Sequence, residues 1–420
     1  MTLSLSSFGQ KLTRKSGILA LMDDLGHAMA GPGDICMMGG GNPARVPAVE
    51  AVWRKQMAKL LGDGDRFERV LVNYDTPQGN LAFIEALVEC LNREYGWAIT
   101  ARNVAVTNGS QNAFFYLFNL LAGRQPDGSC RRILLPFCPE YIGYADQGVE
   151  EDLFVSFRPE IELLPERRFK YHVDFDHLTV EQDVAAICAS RPTNPTGNVL
   201  TNDEVARLTA LARSHGVPLI LDNAYGAPFP GILFSEVQPA WSEDVVLVLS
   251  LSKLGLPGTR TGIVIAREEI VEAISAANSI VSLANGNIGQ ALVAPLLRDG
   301  ELLRLSREAV RPFYEEKSRQ AQEWLAEALG DDVDYRIHKS EGALFLWLWL
   351  PGLPITSAEL YERLKQRRVV VVPGEYFFFG MAEPWDHTHQ CLRLNYSQPE
   401  EVVRKGIRIL AEEIRRAHSA

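Results

Sequence analysis

The strongest constraint on the fold lies in the middle of the chain, where short, wholly apolar runs alternate with helical patterns. The runs Val217–Asp222 (VPLILD) and Val245–Leu249 have almost no polar position, although a half-exposed strand would alternate apolar and polar residues. Strands that are apolar on both faces occur in parallel sheets covered by helices on both sides. The pattern therefore predicts an α/β fold with strands at Asn103–Thr107, Arg132–Leu135, Val184–Ala189, Val217–Asp222, Val245–Leu249 and Thr261–Ala266, and helices at Ser110–Ala122 and Asn202–His215.

After Gly300 the pattern changes and predicts a smaller α+β domain. A long helical stretch, Glu301–Leu329, contains Pro312, which should kink or break it. The elements predicted after it are strands at Ala343–Leu350, Arg368–Val372 and Cys391–Tyr396, and helices at Ser357–Arg367 and Glu400–His418. We expect residues 46–300 to form a large domain, residues 301–420 a small C-terminal domain, and residues 1–45 an N-terminal arm that joins the small domain in part.

Composition excludes several classes of protein. The chain has 420 residues and a net charge of −11, which argues against nucleic acid or an anionic membrane as a partner. No apolar run is long enough to span a membrane, and residues 1–20 lack the apolar core of a signal peptide. The six cysteines form no C-x-x-C pair, so we expect a cytoplasmic protein without a disulfide framework.

A lysine directly after a buried strand is the first candidate for chemistry. Lys253 follows the predicted strand Val245–Leu249, at the edge of an α/β sheet where ligands bind. Partial burial there lowers the pKa of a lysine and favours Schiff-base chemistry. Ser250, Ser252 and Arg260 lie beside it and suit a phosphate group. The alternative is an ordinary solvated loop lysine, which these flanking residues disfavour.

Three further polar stretches follow predicted strands. Asp222 closes the run VPLILD and needs a cationic or hydrogen-bonded partner, such as a protonated pyridine nitrogen, unless it only caps a turn. Asn194 lies in the loop RPTNPTG, which either aims the amide at a ligand or is a rigid turn. The turn with Gly109 and Ser110 opens a helix and offers N–H groups to a phosphate, unless Ser110 simply caps that helix.

The order of these motifs resembles that of the class I/II aminotransferases, which are fold-type I enzymes that use pyridoxal 5′-phosphate (PLP). The chain carries N-G-S-Q, P-E-Y, N-P-T-G, D-x-x-Y, S-x-S-K and R-L-N-Y in that order, and the match covers nearly its whole length. The resemblance implies a large PLP-binding domain with a mostly parallel sheet and a smaller α+β domain. It also implies amino acids and 2-oxo acids as substrates and a homodimer as the assembly.

The resemblance assigns roles residue by residue. Lys253 resembles the lysine that forms the Schiff base and moves protons, with Asp222 and Tyr225 as the other catalytic residues. The residues assigned to the cofactor are Gly109, Ser110, Gln111, Tyr141, Asn194, Asp222, Tyr225, Ser250, Ser252, Lys253, Arg260 and, from the neighbouring subunit, Tyr74. Those assigned to the substrate are Gly40, Gly41, Asn194 and Arg393. Arg191 stands where the family commonly has an asparagine, and its role stays open.

The donor amino acid is expected to be short and aliphatic. Several stretches, among them SRPTNPTGN and DNAYGAPFPGI, resemble family members that exchange the amino group of valine with pyruvate, giving 3-methyl-2-oxobutanoate and alanine. Dicarboxylate-specific relatives need a cation for the distal carboxylate, and some take it from a segment that here, at Glu268–Leu297, contains no Lys or Arg. A small apolar pocket would leave a distal carboxylate unpaired.

Other functions fit part of the pattern. A PLP enzyme that cleaves C–S bonds, or an aminotransferase with another aliphatic donor range, would use the same Lys253 and Asp222. The PLP-binding half of a transcription regulator would need a basic module ahead of Gly39–Pro43, where we expect no room for one. A metal site at His387, His389 and Cys391 would require these residues on one strand face, and we see no fourth ligand, so we expect no metal.

Overall fold

The computed structural model describes residues 4–14, 16–17, 19, 22–23, 26 and 34–419. Its α-helices are, in chain order, α1 (Ser7–Thr13), α2 (Pro47–Gly62), α3 (Arg66–Val72), α4 (Leu81–Tyr95), α5 (Ser110–Leu121), α6 (Asn202–Ser214), α7 (Glu268–Val281), α8 (Ile288–Arg298), α9 (Glu301–Leu305), α10 (Arg311–Leu329), α11 (Ser357–Gln366) and α12 (Glu400–Ser419). Its strands are β1 (Cys36–Met37), β2 (Val104–Thr107), β3 (Gly123–Arg124), β4 (Cys130–Leu135), β5 (Phe154–Ser156), β6 (Glu160–Leu164), β7 (Arg168–His172), β8 (Val184–Ser190), β9 (Leu219–Asp222), β10 (Val245–Ser250), β11 (Gly262–Ile265), β12 (Arg336–His338), β13 (Phe345–Trp349), β14 (Val369–Val370), β15 (Val372–Pro373) and β16 (Cys391–Asn395).

The largest sheet confirms the predicted α/β architecture. Within the described residues it has the order β2-β11-β10-β9-β8-β4-β3, with β5 beside β4. Strands β8, β9 and β10 are buried along their whole length, as their apolar sequences require. They run parallel to one another and to β4.

Strand β11, at the predicted strand Thr261–Ala266, runs against this direction, so the sheet is mostly but not wholly parallel, as the resemblance implied. Strand β11 is antiparallel to both β10 and β2. The link from β10 to β11 contains only short 3₁₀ turns at Ser252–Leu254 and Pro257–Thr259. Such a link is too short for the crossover that a parallel neighbour needs.

A second sheet, seen in the same part of the chain, has the order β15-β16-β13-β12-β7-β6. Of its C-terminal strands, β13 and β16 were expected, whereas β12 was not. The expected strand Arg368–Val372 is replaced by two short strands, of which β14 pairs with β1 and β15 with β16. Strands β6 and β7 come from residues 160–172 and join it through the parallel pair β7–β12. The sheet thus draws on both sides of residue 300, and the division into domains stays a prediction.

The helical stretch around Pro312 contains one wider turn and is not broken. A π-helical turn, Ser306–Val310, joins α9 to α10, and Pro312 lies in the first turn of α10. Proline has no N–H to donate and its ring collides with the carbonyl four residues earlier, so the wider turn removes the conflict. None of the helices in the described ranges is long and apolar enough to cross a membrane.

The sheet register brings the candidate residues to one edge. Ser190 at the end of β8 lies opposite Asp222 at the end of β9, and Asp222 lies opposite Val248 of β10. Because these strands are parallel, the loops that carry Asn194 and Lys253 leave the sheet on the same side as Asp222.

Candidate active site

A cleft of about 640 Å³, partly open to solvent, lies at the carboxyl ends of β8, β9 and β10. The predicted residues that line it are Ser110, Gln111, Tyr141, Asn194, Asp222, Tyr225, Ser250, Ser252, Lys253 and Arg260. Phe114, Ser190, Pro192 and Ala224 complete the lining and were not singled out in the sequence.

Lys253 is the only lysine among the residues that line this cleft. Its Nζ donates to the carbonyl of Gly41 at 2.6 Å and lies 5.2 Å from the centre of the Tyr225 ring. Burial, reinforced by the charge of Arg393, lowers the pKa of Lys253 to about 8. A lysine with such a pKa is partly neutral near physiological pH and is able to act as a nucleophile or a base.

Asp222 is buried at the end of β9 and is held by a tyrosine that sequence reasoning missed. Its Oδ2 accepts a hydrogen bond from Tyr144 Oη at 2.5 Å, and its Oδ1 accepts one from the Ala224 N–H at 2.9 Å. Burial raises the pKa of Asp222, so a cationic neighbour in the cleft would stabilise the carboxylate. The sequence signal that could have identified Tyr144 is its position three residues after Tyr141 in the stretch PEYIGY.

Arg393 is a buried cation beside the cleft, and it contacts Asn194. Its Nη1 donates to Asn194 Oδ1 at 2.7 Å, and its Nη2 donates to the Gly39 carbonyl at 2.5 Å. Its Nε is buried without a hydrogen-bond partner. The guanidinium also lies 4.3 Å from the centre of the Phe345 ring. A buried guanidinium with an unused donor is suited to an incoming carboxylate.

The segment Gly39–Gly41 lies between Lys253 and Arg393. Asn395 Nδ2 donates to the Gly40 carbonyl, and Lys253 donates to that of Gly41. These contacts use the carbonyls of Gly40 and Gly41, and the role of the two residues in substrate binding stays a prediction.

The other end of the cleft forms a cradle for an anion. Helix α5 begins after Gly109, which has φ +88° and gives no side-chain cap to the first N–H groups of the helix. The Gly109 N–H donates to the Thr107 carbonyl, so the Ser110 and Gln111 amides are better placed as donors than the predicted Gly109 amide. A Cβ on Gly109 would lie 2.1 Å from Arg260 Nη2, so glycine lets the guanidinium close over the helix end.

Tyr74, which was predicted to reach the cofactor, and Arg191, whose role was left open, both lie away from the cleft. Tyr74 is 82% exposed, and the contacts of this protomer give it no role. Arg191 is buried but points away from the cleft. It donates to the carbonyls of Leu200 and Gln238 and to Asn202 Oδ1, at 2.7 to 3.0 Å. Arg191 therefore fastens the loop that carries Asn194 instead of adding a charge to the site.

The alternative of a strand with three metal ligands is wrong. His387 and His389 lie on a 3₁₀ turn, Asp386–His389, and only Cys391 belongs to a strand. His387 is buried against Tyr171 and has a Cys391 Sγ contact at 3.5 Å, whereas His389 faces Glu375. No group of three metal-ligating side chains occurs within the described ranges.

The polar and charged groups of the cleft fit PLP. The uncapped helix end with Arg260 matches a phosphate, buried Asp222 matches a protonated pyridine nitrogen, and Lys253 matches an aldehyde. The unused Nε of Arg393 leaves a place for the carboxylate of a substrate. Fold and cleft together define a PLP-binding enzyme of fold type I.

Known proteins agree with this assignment. The family model for class I and II aminotransferases matches residues 160–410. A valine–pyruvate aminotransferase of Escherichia coli K12 is 52% identical over 417 residues, which cover 99% of each chain. The crystal structure of valine–pyruvate aminotransferase from Salmonella typhimurium LT2 is 49% identical, has a TM-score of 0.89, and is matched over 96% of this chain and 100% of that chain.

A more distant structure shares the fold. The multiple substrate aminotransferase from Thermococcus profundus is 22% identical with a TM-score of 0.80, over 99% of this chain and 98% of that chain. The protein described here belongs to the class I and II aminotransferases, and it uses PLP as its cofactor.

Proposed function

We propose that the enzyme transfers the amino group of L-valine to pyruvate, giving 3-methyl-2-oxobutanoate and L-alanine, by a ping-pong mechanism. The observation that carries this proposal is the inventory of cations at the cleft. Lys253 and Arg260 are the cations that line it, and Arg393 lies beside it. With Lys253 given to the cofactor aldehyde and Arg260 to the phosphate, Arg393 serves one substrate carboxylate. A donor amino acid with an aliphatic side chain has a single carboxylate, so these three cations are sufficient for it.

The identity of the relatives supports the same donor and acceptor. The proteins from Escherichia coli and Salmonella typhimurium that bear the name valine–pyruvate aminotransferase are 52% and 49% identical to this chain over nearly its full length. The segment Glu268–Leu297, which lacks Lys and Arg, adds no cation for a second carboxylate.

Asp222, Tyr225 and Asn194 are proposed to hold and polarise the cofactor ring, and Tyr141 to cover it. When bound, PLP supplies an electron sink for the carbanion formed at the substrate Cα. The Asp222 carboxylate, oriented by Tyr144, stabilises a positive charge on the ring nitrogen. The phosphate of the cofactor would be held by residues that all line the cleft, namely Ser110, Gln111, Ser250, Ser252 and Arg260.

Lys253 is proposed to move the proton and Arg393 to fix the substrate. The lowered pKa of Lys253 suits a group that removes a proton from the substrate Cα and delivers it to the C4′ atom of the cofactor. The Arg393 fork, anchored by Asn194 and Gly39, holds the carboxylate so that the Cα–H bond faces Lys253. Gly40 and Gly41 are proposed to bind the substrate between the two cations, since Arg393 donates to the Gly39 carbonyl and Lys253 to the Gly41 carbonyl.

We also propose a cytoplasmic C2 homodimer in which Tyr74 completes the cofactor site of the partner. Val72, Tyr74, Ile280, Val281 and Leu283 are all exposed. Their segments form one surface, since Asn278 and Asn287 donate to the carbonyls of Pro77 and Asn73. Exposed apolar side chains grouped in this way favour burial in an interface.

A donor panel tests the substrate proposal. Valine, alanine, 2-aminobutyrate, aspartate and phenylalanine are compared by kcat/KM, with pyruvate or 3-methyl-2-oxobutanoate as acceptor. We expect the first three to lead. An aspartate or phenylalanine preference of tenfold, about 1.4 kcal/mol of transition-state free energy, would overturn the donor assignment. Release of a thiol, pyruvate and ammonia from a cysteine S-conjugate, with no 2-oxo acid added as acceptor, would instead indicate a C–S lyase.

A further inference from the structure

Glu140 is a buried carboxylate at the edge of the cleft, and the reaction outlined above does not use it. It is 2% exposed. Its Oε1 accepts the Ser190 N–H at 2.8 Å, and its Oε2 accepts the Tyr141 N–H at 2.9 Å and the Ser190 hydroxyl at 2.5 Å. Its described partners are thus two backbone amides and one hydroxyl, all neutral.

These contacts join two walls of the cleft. Tyr141 lies in the loop after β4 and its ring lines the cleft, while Ser190 ends β8 and leads into the loop that carries Asn194. Ser190 is also opposite Asp222 in the sheet, and the following Arg191 N–H donates to the Asp222 carbonyl at 2.8 Å. Glu140 therefore ties the loop that carries Tyr141 to the end of β8, which lies beside Asp222 at the end of β9.

The chemistry of the contacts requires a carboxylate. The two backbone N–H groups reach different oxygens of Glu140, and a carboxylate accepts on both arms. A glutamine in the same place would turn an NH₂ group toward one of these amides. Burial without a cation is costly and raises the pKa of Glu140 to about 7, so a purely structural need would be met more cheaply by an apolar contact.

We propose that Glu140 is a positioning residue that fixes the Tyr141 ring against the bound cofactor by clamping the loop after β4 to the end of β8. This inference rests on the proposed role of Tyr141 at the cofactor. The neighbouring Gly143 fits the same arrangement, because a Cβ there would lie 2.3 Å from the Tyr141 ring. The ring is thus confined by the backbone of its own loop and by the Glu140 clamp.

The test compares Glu140→Gln with Glu243→Gln, an exposed glutamate of the same chain. The readouts are the visible circular dichroism of the bound cofactor, which depends on how the ring is held, and the dissociation constant of PLP from equilibrium dialysis. For Glu140→Gln we expect the dichroism to fall by about half and the dissociation constant to rise about tenfold, or 1.4 kcal/mol. KM for valine should stay within about twofold while kcat falls, because Arg393 is untouched.

Signals equal to those of Glu243→Gln, in a variant with unchanged far-UV dichroism, would overturn the proposal. If Glu140→Gln does not fold, Ser190→Ala carries the test, since it removes the hydroxyl contact and keeps both amides. It should weaken PLP binding two- to threefold, and unchanged dichroism and affinity in this variant would be equally decisive against the clamp. The dichroism of the bound cofactor and the PLP dissociation constant are measured without valine or pyruvate. Failure of the donor assignment therefore leaves these two readouts intact.

Discussion

The guanidinium of Arg393 donates to the side-chain carbonyl of Asn194 at 2.7 Å. The two residues come from distant parts of the chain, the first from β16 and the second from the loop after β8. The resemblance assigned Arg393 to the substrate carboxylate, and Asn194 to both the cofactor and the substrate. Their direct contact makes them one unit, so the position of the bound carboxylate is tied to the position of the cofactor. The Nε of Arg393 is buried without a hydrogen-bond partner, and we propose it as the donor to the substrate carboxylate.

Arg393→Lys should therefore damage substrate binding and leave cofactor binding intact. A lysine keeps the charge but loses the fork and cannot reach Asn194, Gly39 and a carboxylate together. We expect KM for valine and for pyruvate to rise about 10- to 100-fold, equivalent to about 1.4–2.7 kcal/mol. Steady-state kinetics with both substrates check this, and the PLP dissociation constant is the control. Unchanged KM values for both substrates would remove Arg393 from the carboxylate site.

The reactivity of Lys253 should change near pH 8. Burial and the Arg393 charge lower its pKa to about 8, and only the neutral amine attacks an aldehyde, so reactivity rises as the pH increases through that value. The cofactor-free protein is mixed with PLP at pH 6 to 10, reduced with borohydride and mapped by mass spectrometry. The exposed Lys55 of α2 serves as an internal reference in each sample. A labelling profile for Lys253 that coincides with that of Lys55 would contradict the prediction.

Much of this site was predictable because polar residues follow apolar strands. Asp222, Asn194 and Lys253 each come after such a strand, and parallel strands bring their ends to one edge. The structure confirms this convergence. The direction of β11 could not be predicted in this way, because it depends on the length of the link from β10 and not on composition.

Other features depend on contacts that no local pattern reports. Strand β7 pairs with β12 across a large separation in sequence, so its sheet could not be read from residues 168–172 alone. Tyr144 and Glu140 gain their importance from partners on β9 and β8, respectively. Arg191 looked like an extra charge near the cofactor because the sequence does not show which way a side chain points.

Gly109→Ala should impair the phosphate cradle. The residue has φ +88° and ψ 155°, a conformation that costs a non-glycine residue about 1–3 kcal/mol, and the new methyl group would collide with Arg260. We expect the PLP dissociation constant to rise at least tenfold. Gly258→Ala is the matched control, because a Cβ at that position meets nothing within 4 Å. Equal PLP affinity in the two variants would show that the cradle tolerates a side chain.

Arg191→Met should destabilise the fold more than it affects catalysis. The change removes three hydrogen bonds and leaves the carbonyls of Leu200 and Gln238 without this donor, which we expect to lower the free energy of unfolding by about 2–4 kcal/mol. Arg213→Met is the control, since its exposed pair with Asp244 should be worth under about 1 kcal/mol. Denaturant unfolding measures both. A loss of kcat in Arg191→Met without loss of stability would instead place its charge in the reaction.

Mixing two inactive variants tests the shared active site. If Tyr74 reaches the partner, each site combines Lys253 of one chain with Tyr74 of the other. Lys253→Ala chains are therefore mixed with chains that carry both Tyr74→Phe and Arg260→Ala. In that heterodimer, one site has Lys253 from the double variant and Tyr74 from its partner, but the chain that supplies Lys253 to this site has lost Arg260. A cleaner pair is Lys253→Ala with Tyr74→Phe alone, in which one of the two heterodimer sites has every residue intact.

For that pair we expect activity up to about one quarter of the wild-type value at equal mixing, because random exchange makes half of the dimers mixed and each has one intact site. The comparison is with unmixed Tyr74→Phe at the same concentration, so any residual activity of that variant is subtracted. Sedimentation of the untreated enzyme gives the assembly directly. An active monomer, or mixing that adds nothing although chain exchange is demonstrated, would show that the highly exposed Tyr74 does not complete the partner's site.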